Sequence, residues 1–420
     1  MREARISPQR SVLRPREEPP VVPVVPLRAQ RQRSEILLGS AVKVMCCVAG
    51  WHLAAGGARA QEPPRPERAK LRNVVYTLAS PEMAGRRGEG ARKTAEFLVA
   101  EFQRLKLEPM FDGRMVQEIP GPEPGSVRGR NVGGVLRGAD PALRDEWVIV
   151  SAHFDHLGKR GDVIYPGADD NASGVAMMLE VARSLCGASS RPRRSVAFIG
   201  FDLEEAGLFG SRYFVAHPPV PLERISLFIT ADMIGRALAG ICLTRVFVLG
   251  TEHAPGLRPW IEQAARGQPV TVGLLGSDLL LLNRSDYGPF RTRRVPYLFF
   301  STGENPRYHS PDDRPETLDY DTLTAISRII HGVVLTASNA PEVPRWNDSP
   351  DHPLAEAVTI RDVIRKLIES REALKLGGAQ LFVMNQTLST LEEIIARGAI
   401  TPAERASMIQ AARLVLLMVR

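Results

Sequence analysis

The chain has 420 residues, of which 44% are apolar and 24% charged, the balance of an ordinary water-soluble globular protein. That composition excludes wholesale disorder, a collagen-like repeat and a polytopic membrane protein, and the length allows roughly two or three domains. The formal charge of +7 is unevenly spread: residues 1–60 carry ten Lys/Arg against four Asp/Glu, and the remainder carries 44 against 43. A nearly neutral body has no electrostatic footprint for nucleic acid.

Residues 1–35 are rich in Arg and Pro and lack hydrophobic periodicity. The apolar stretch 36–57 (ILLGSAVKVMCCVAGWHLAAGG) then ends in Ala58-Arg59-Ala60, the layout of an export signal cleaved after Ala60. The chain is therefore expected to be secreted or periplasmic. The basic region is long for a signal and Lys43 interrupts the apolar part, which suggests a translation start near Val42. A membrane span needs about 20 apolar residues without a central charge, so membrane contact is expected only through the signal or an uncleaved anchor. Cys46 and Cys47 would leave with the signal, and Cys186 and Cys242 sit in apolar runs and read as buried spectators.

Residues 61–68 (QEPPRPER) read as a linker. A helix is expected at about 69–79, a turn region at SPEMAGRRGEG and an amphipathic helix at ARKTAEFLVAEFQRLKL. Strands are expected at NVGGVLRG, WVIVSAH, SVAFIGFD, SLFITADMIG, CLTRVFVLG and PYLFFST, with helices at about 173–187, 206–216, 256–266 and 320–338. The strand segments are Val/Ile/Phe-rich with little alternation, as strands buried on both faces require. Alternating strands and helices predict a sheet between two helical layers, with ligands beyond the C-terminal ends of the strands. After Asn339 the pattern breaks, and three helical segments follow, the third opened by Thr401 and Pro402 as N-cap and first-turn proline. The resulting division is an N-terminal extension and signal (1–60), a linker (61–68), a catalytic domain (69–339) and a helical extension (340–420) that must dock on the body or on a second copy.

Five segments place acids or imidazoles at the ends of strand-like runs: SAHFDHLG (151–158), GADDNASG (167–174), FDLEEAGLFGS (201–211), TADMIGR (230–236) and YHSPDD (308–313). A single strand-end His or Asp is more often a structural group. Five in succession, with only imidazole and carboxylate donors, suit zinc or a similar divalent metal.

In order and wording these segments resemble the secreted two-zinc aminopeptidases of metallopeptidase clan MH, a family that also contains glutamate carboxypeptidases. The resemblance covers about residues 70–338. It implies a three-layer α/β/α fold with a mostly parallel mixed sheet, to which the C-terminal helices are an appendage. It also implies two zinc ions, although other divalent metals suit the same donors, and a peptide substrate. His153 corresponds to the family's first metal ligand, and Asp155 to the carboxylate that orients it through the other ring nitrogen. Asp170 corresponds to the aspartate that bridges the metals, with a cis peptide expected before Asn171; Asp169 is then a neighbour. Glu205 and Asp232 match the two carboxylate ligands, His309 the second imidazole, and Glu204 the general base. His156 matches no family ligand and reads as a structural or pocket-lining residue. Tyr287 stands in SDYGPF where the family commonly has histidine. It joins Tyr308, a candidate oxyanion donor, as a candidate pocket residue.

The expectation is an exported metal-dependent aminopeptidase. A carboxypeptidase or dipeptidase on the same scaffold would need a cationic pocket, for which Arg236 and Arg307 are the candidates. A one-zinc glutaminyl cyclase and a degenerate binding module are further readings, disfavoured because the ligand set and Glu204 are complete. The helical extension is also a candidate surface for a homo-oligomer.

Overall fold

The computed structural model describes residues 64–279 and 283–418. The N-terminal extension, its export signal, Cys46, Cys47 and the first part of the linker lie outside the described residues. Helices α1 (Arg68–Leu78) and α2 (Glu89–Arg104) come first, separated by a 3₁₀ stretch at Pro81–Arg86. Strands β1 (Glu108–Pro109), β2 (Val116–Pro120), β3 (Val127–Leu136) and β4 (Trp147–His153) follow, then a small hairpin of β5 (Lys159–Arg160) and β6 (Val163–Ile164). The chain continues through α3 (Gly174–Cys186), β7 (Ser195–Phe201), α4 (Phe209–Ala216), β8 (Ile225–Ala231), β9 (Arg245–Leu249) and α5 (Arg258–Ala265). After β10 (Thr271–Leu275), α6 (Tyr287–Thr292), β11 (Tyr297–Ser301) and α7 (Tyr320–Asn339) come the C-terminal helices α8 (Leu354–Glu369), α9 (Gly378–Arg397) and α10 (Pro402–Met418).

Nine strands form one sheet in the order β1-β3-β7-β4-β8-β11-β9-β10, with β2 paired to β3. The centre, β7-β4-β8-β11, is parallel, and β3 and β9 flank it antiparallel. Every residue of β4, β7 and β11 is buried, which is why those runs are apolar throughout. The two sheet faces own separate cores. Val148, Val150, Val196, Phe198 and Ile229 pack against α1, α2, α3, α5 and α7. Ile149, Ala197, Ile199, Phe201 and Phe228 pack in the other core, with residues of α4, α6 and the three C-terminal helices.

The helical extension thus docks on the body. Ile360, Ile364, Leu367, Met384, Leu391 and Met408 are buried in one cluster with Phe247 and Leu249 of β9. Each fully buried side chain of this kind contributes about 1.5–3 kcal/mol relative to exposure. The start of α10 is a reciprocal cap: the Glu404 N–H donates to Thr401 Oγ1 (3.2 Å), and the Thr401 N–H donates to Glu404 Oε2 (2.9 Å). Among the described residues no helix is long and apolar enough to cross a membrane. Cys242 is buried, Cys186 partly so, and neither is in a disulfide.

Candidate metal centre

The parallel strands β4, β7 and β8 all end at one edge of the sheet, so the segments leaving them converge there with those after β11 and before α3. Asp155 ties two of these exits together: its oxygens accept from the backbone N–H groups of Glu204 (3.0 Å) and Glu205 (3.2 Å). Leu203, Met233 and His309 adopt φ of 59°, 53° and 54°. This left-handed region is unfavourable for residues with a side chain and persists where surrounding bonds over-determine it. Each of the three is a site residue or directly adjoins one.

The loop carrying Asp170 is held from both sides. The guanidinium of the fully buried Arg86 donates to the carbonyls of Phe154 (2.8 Å), Gly167 (2.7 Å) and Asp170 (3.1 Å). Asp313, itself paired with Arg236 (2.5 Å), accepts from the N–H groups of Asp169 (2.8 Å) and Asp170 (3.1 Å). The peptide between Asp170 and Asn171 is cis. Asn171 donates to the Ala231 carbonyl (2.8 Å) and accepts from the Gly174 N–H (2.9 Å), which joins this loop to the end of β8.

The Asp170 carboxylate consequently faces two imidazoles closely and a third, His156, whose Nδ1 lies 3.8 Å from its Oδ2. Its Oδ1 lies 3.4 Å from His153 Nε2, and its Oδ2 lies 3.2 Å from His309 Nε2. Each imidazole has a second carboxylate beside it: Asp232 Oδ1 is 3.3 Å from His153 Nε2, and Glu205 Oε2 is 3.1 Å from His309 Nε2. On its other side His153 Nδ1 faces Asp155 Oδ1 at 3.6 Å. The carboxylate of Glu204 reaches to within 4.8 Å of His153 and Asp232, and it has no hydrogen-bond or ion-pair partner among the described residues. Neighbouring Glu205 differs, because both of its oxygens are engaged by imidazoles.

The electrostatics reflect this crowding. Burial drives the Glu204 carboxyl well above its usual range; His153 opposes that, while Asp232, Asp286 and Asp155 add to it. Burial also pushes against ionised Asp170, but His156, His153 and His309 hold it well below the carboxylate range. For His309 burial opposes charge, yet the nearby Asp170 and Glu205 carboxylates prevail and lift the imidazole to about 10.

Four carboxylates (Asp170, Glu204, Glu205 and Asp232) therefore share a small volume, and no Lys or Arg side chain bonds any of their oxygens among the described residues. His309 Nε2 is buried and makes no well-directed hydrogen bond to either nearby acid, as a nitrogen aimed at a point between them would behave. Excess negative charge, convergent imidazoles and hard oxygen donors fit divalent cations of the zinc type.

His156, read from the sequence as structural or pocket-lining, lies against the centre, with Nδ1 2.8 Å from Glu205 Oε1. The structure also adds residues that the motifs do not single out. Arg86 and Asp313 are charged and fully buried, but their role is to hold backbone and no spacing rule points to it. Asp286, also fully buried, has its carboxyl pushed up to about 7, chiefly by burial. Tyr308 stacks on His309 with centroids 3.8 Å apart, and burial together with Asp170, Asp232 and Glu205 raises its hydroxyl pKa.

Two expectations change. Tyr287 is no pocket wall: it is fully buried in the second core, stacked on Tyr297 at 5.2 Å. Arg236 cannot serve a substrate, because its guanidinium is taken up by Asp313, Thr317 and the Arg314 carbonyl.

A second acid–imidazole group forms around Asp278, His352 and Glu356. There Arg405 inserts between the acids, donating to both Asp278 oxygens (2.7 and 2.7 Å) and to both Glu356 oxygens (2.7 and 2.9 Å).

Comparison with known proteins agrees with this geometry. The aminopeptidase YwaD of Bacillus subtilis is 27% identical over 205 residues, which span 47% of this chain and 42% of that protein. The chain therefore covers less than half the length of this relative. A glutaminyl-peptide cyclotransferase of Boiga irregularis is 28% identical over 293 residues, 58% of this chain and 76% of that one. Among solved structures, BSAP, a zinc aminopeptidase from Bacillus subtilis, shares the fold with a TM-score of 0.52 at 17% identity, covering 69% of this chain and 100% of its own. The profile of peptidase family M28 matches residues 131–334. The matched residues, just under half of the chain, contain all five site segments.

Proposed function

We propose that the protein is an exported, metal-dependent aminopeptidase that binds two zinc ions and removes N-terminal residues from peptides. The observation that carries this reading is the division of Asp170 between two imidazole–carboxylate pairs. His153, Asp232 and one oxygen of Asp170 would hold one cation, and His309, Glu205 and the other oxygen the second. Bound cations of this kind polarise a scissile carbonyl and lower the pKa of water toward about 7.

The chain's own residues supply the rest. Asp155 faces His153 Nδ1, which fixes the tautomer that leaves Nε2 free to ligate. Glu204, whose carboxylate no side chain bonds among the described residues, takes the proton from the attacking water and delivers it to the departing amine. The adjacent Glu205, pinned by two histidines, cannot exchange roles with it. Tyr308, stacked on His309, would donate its hydroxyl to the oxyanion. Export is supported by the signal-like residues 36–60.

The cyclotransferase likeness is a second reading on the same fold, and one assay separates the two. Zinc-loaded protein is given leucyl and glutaminyl peptides with free and N-acetylated amino ends. Release of the N-terminal residue from the free-amine peptides alone is expected. Cyclisation of the glutaminyl peptide with ammonia release and no peptide-bond cleavage would select the cyclotransferase, and cleavage of the acetylated peptides would remove the aminopeptidase reading.

A further inference from the structure

Beside Glu205 lies a cavity of ≈220 Å³ whose walls come from the start of α2, the first half of β3 and the exits of β4 and β7. Arg87, Arg128 and Arg130 line it, together with Asp155, Asp202 and Glu205. The acids are already committed. Asp155 holds the Glu204 and Glu205 N–H groups, Asp202 accepts from the Arg130 N–H (2.8 Å) and the Leu203 N–H (2.9 Å), and both Glu205 oxygens are engaged by histidines.

The three guanidiniums are not committed. None forms a side-chain ion pair with a carboxylate among the described residues, although the Arg130 charge favours ionised Asp202. Arg128 lies over the Phe209 ring, with its guanidinium carbon 3.7 Å from the centroid. That contact orients the guanidinium without neutralising it. Arg92, at the same rim, differs in being paired with Glu89 and Glu96. The wall thus carries three guanidiniums outside any ion pair, alongside Asp155, Asp202 and Glu205, in a planar, five-donor form that matches a carboxylate bidentately.

We propose that this cavity binds a carboxylate carried by the substrate, either an acidic side chain or the peptide's own C-terminus. Its size is below that of drug-scale pockets, which begin near about 300 Å³, and suits one residue's terminal group. Because Glu205 belongs both to the cavity wall and to the candidate centre, the anion would be held close to the bond being cut. This assignment replaces Arg236, which is sealed, as the cationic element. It rests on the exopeptidase reading for the identity of the ligand but not for the existence of the anion site.

The test uses zinc-loaded wild type, Arg128→Gln and Arg130→Gln on two matched pairs. Aspartyl and asparaginyl p-nitroanilide differ in a side-chain carboxylate, and Leu-Gly and Leu-Gly amide differ in the terminal one. In one pair the carboxylate member should have a kcat/KM higher by about tenfold to a hundredfold, and that ratio should fall toward one in both variants. The responsive pair names the source of the carboxylate. Ratios near one in both pairs, or ratios unchanged in the variants, overturn the proposal. If none of the four compounds is cleaved, the exopeptidase reading fails separately, and the anion site is then read by calorimetry. Glutarate should bind about tenfold more tightly to wild type than to either variant, and glutaramide should bind neither. Equal glutarate affinity in wild type and variants overturns the site. Thermal melting of both variants reports that the fold is kept.

Discussion

Two groups of carboxylates and imidazoles occupy opposite ends of the sheet. The parallel strands β4, β7 and β8 deliver one to their C-terminal edge. Strand β10 runs with β9 and therefore against β11, so Asp278 beyond its C-terminus lies at the other end. The two groups use the same residue types but differ in their source of positive charge. Around Asp278 and Glu356 the protein supplies its own cation, with Arg405 forming four bonds of 2.7–2.9 Å. Around Asp170 the buried Arg86 guanidinium goes to backbone carbonyls, no Lys or Arg bonds a carboxylate oxygen of Asp170, Glu204, Glu205 or Asp232 among the described residues, and these acids are left to imidazoles and to one another. An acidic cluster closed by an arginine is a structural clamp that locks α10 and α8 to the loop after β10. An acidic cluster without one has the donor set that suits a cation from outside.

Mutations that break this contrast should give different signatures. The largest effect is expected for Glu204→Gln, which removes the unpartnered carboxylate: kcat should fall by about 10²–10⁴-fold while zinc content and melting temperature hold. Near-normal turnover in that variant would move the base elsewhere. Asp170→Ala should act one level earlier, lowering zinc per chain as measured by elemental analysis and abolishing the thermal stabilisation that zinc confers on the wild type. That stabilisation is about 2.7 kcal/mol when free metal stands at 100 times its Kd.

The clamp should respond in stability and not in metal. Arg405→Ala leaves Glu356 and Asp278 facing each other without compensation and should lower unfolding free energy by about 2–4 kcal/mol in urea, with zinc content unchanged. Acid should expose the same pair. Burial pushes the Asp278 carboxyl up, but Arg405 outweighs it and holds the group below its usual value. A carboxyl depressed in the folded state contributes fully above its unfolded pKa of about 3.9 and loses that contribution as pH falls through the folded value. Wild type should therefore lose more stability than Arg405→Ala below about pH 4, as read from unfolding midpoints across a pH series. The smallest effect is expected at the rim of the centre, where Tyr308→Phe should lower kcat by roughly tenfold with metal content intact. An unaltered kcat would reduce Tyr308 to a packing residue on His309.

Much of this contrast was legible before any coordinates. The runs WVIVSAH and SVAFIGFD announce parallel strands because burial on both faces removes alternation, and the acids that end them stand out against that background. The helices after Asn339 show their apolar periodicity equally plainly. Other parts were not legible. The strand β2 reads VQEIP and β10 reads TVGLL, short segments whose polar residues and glycine carry little strand signal. Tyr287 stands beside a family motif, yet its ring is drawn into the aromatic core of Tyr297 and Phe299. Arg405 pairs with Asp278 across 127 residues, and no local pattern reports a contact of that range. The arginine cavity was hidden for the same reason, since Arg87 and Arg130 meet only because α2 and β3 are brought beside the exits of β4 and β7.

The central claim is that Asp170 holds two cations at once, and anomalous diffraction at the zinc edge from zinc-soaked crystals addresses it directly. The account predicts two peaks roughly 3.5–4 Å apart, one on each side of the Asp170 carboxylate, with His153 and Asp232 at one and His309 and Glu205 at the other. A map with no peak there, or with zinc seated instead among Asp278, His352 and Glu356, would contradict it.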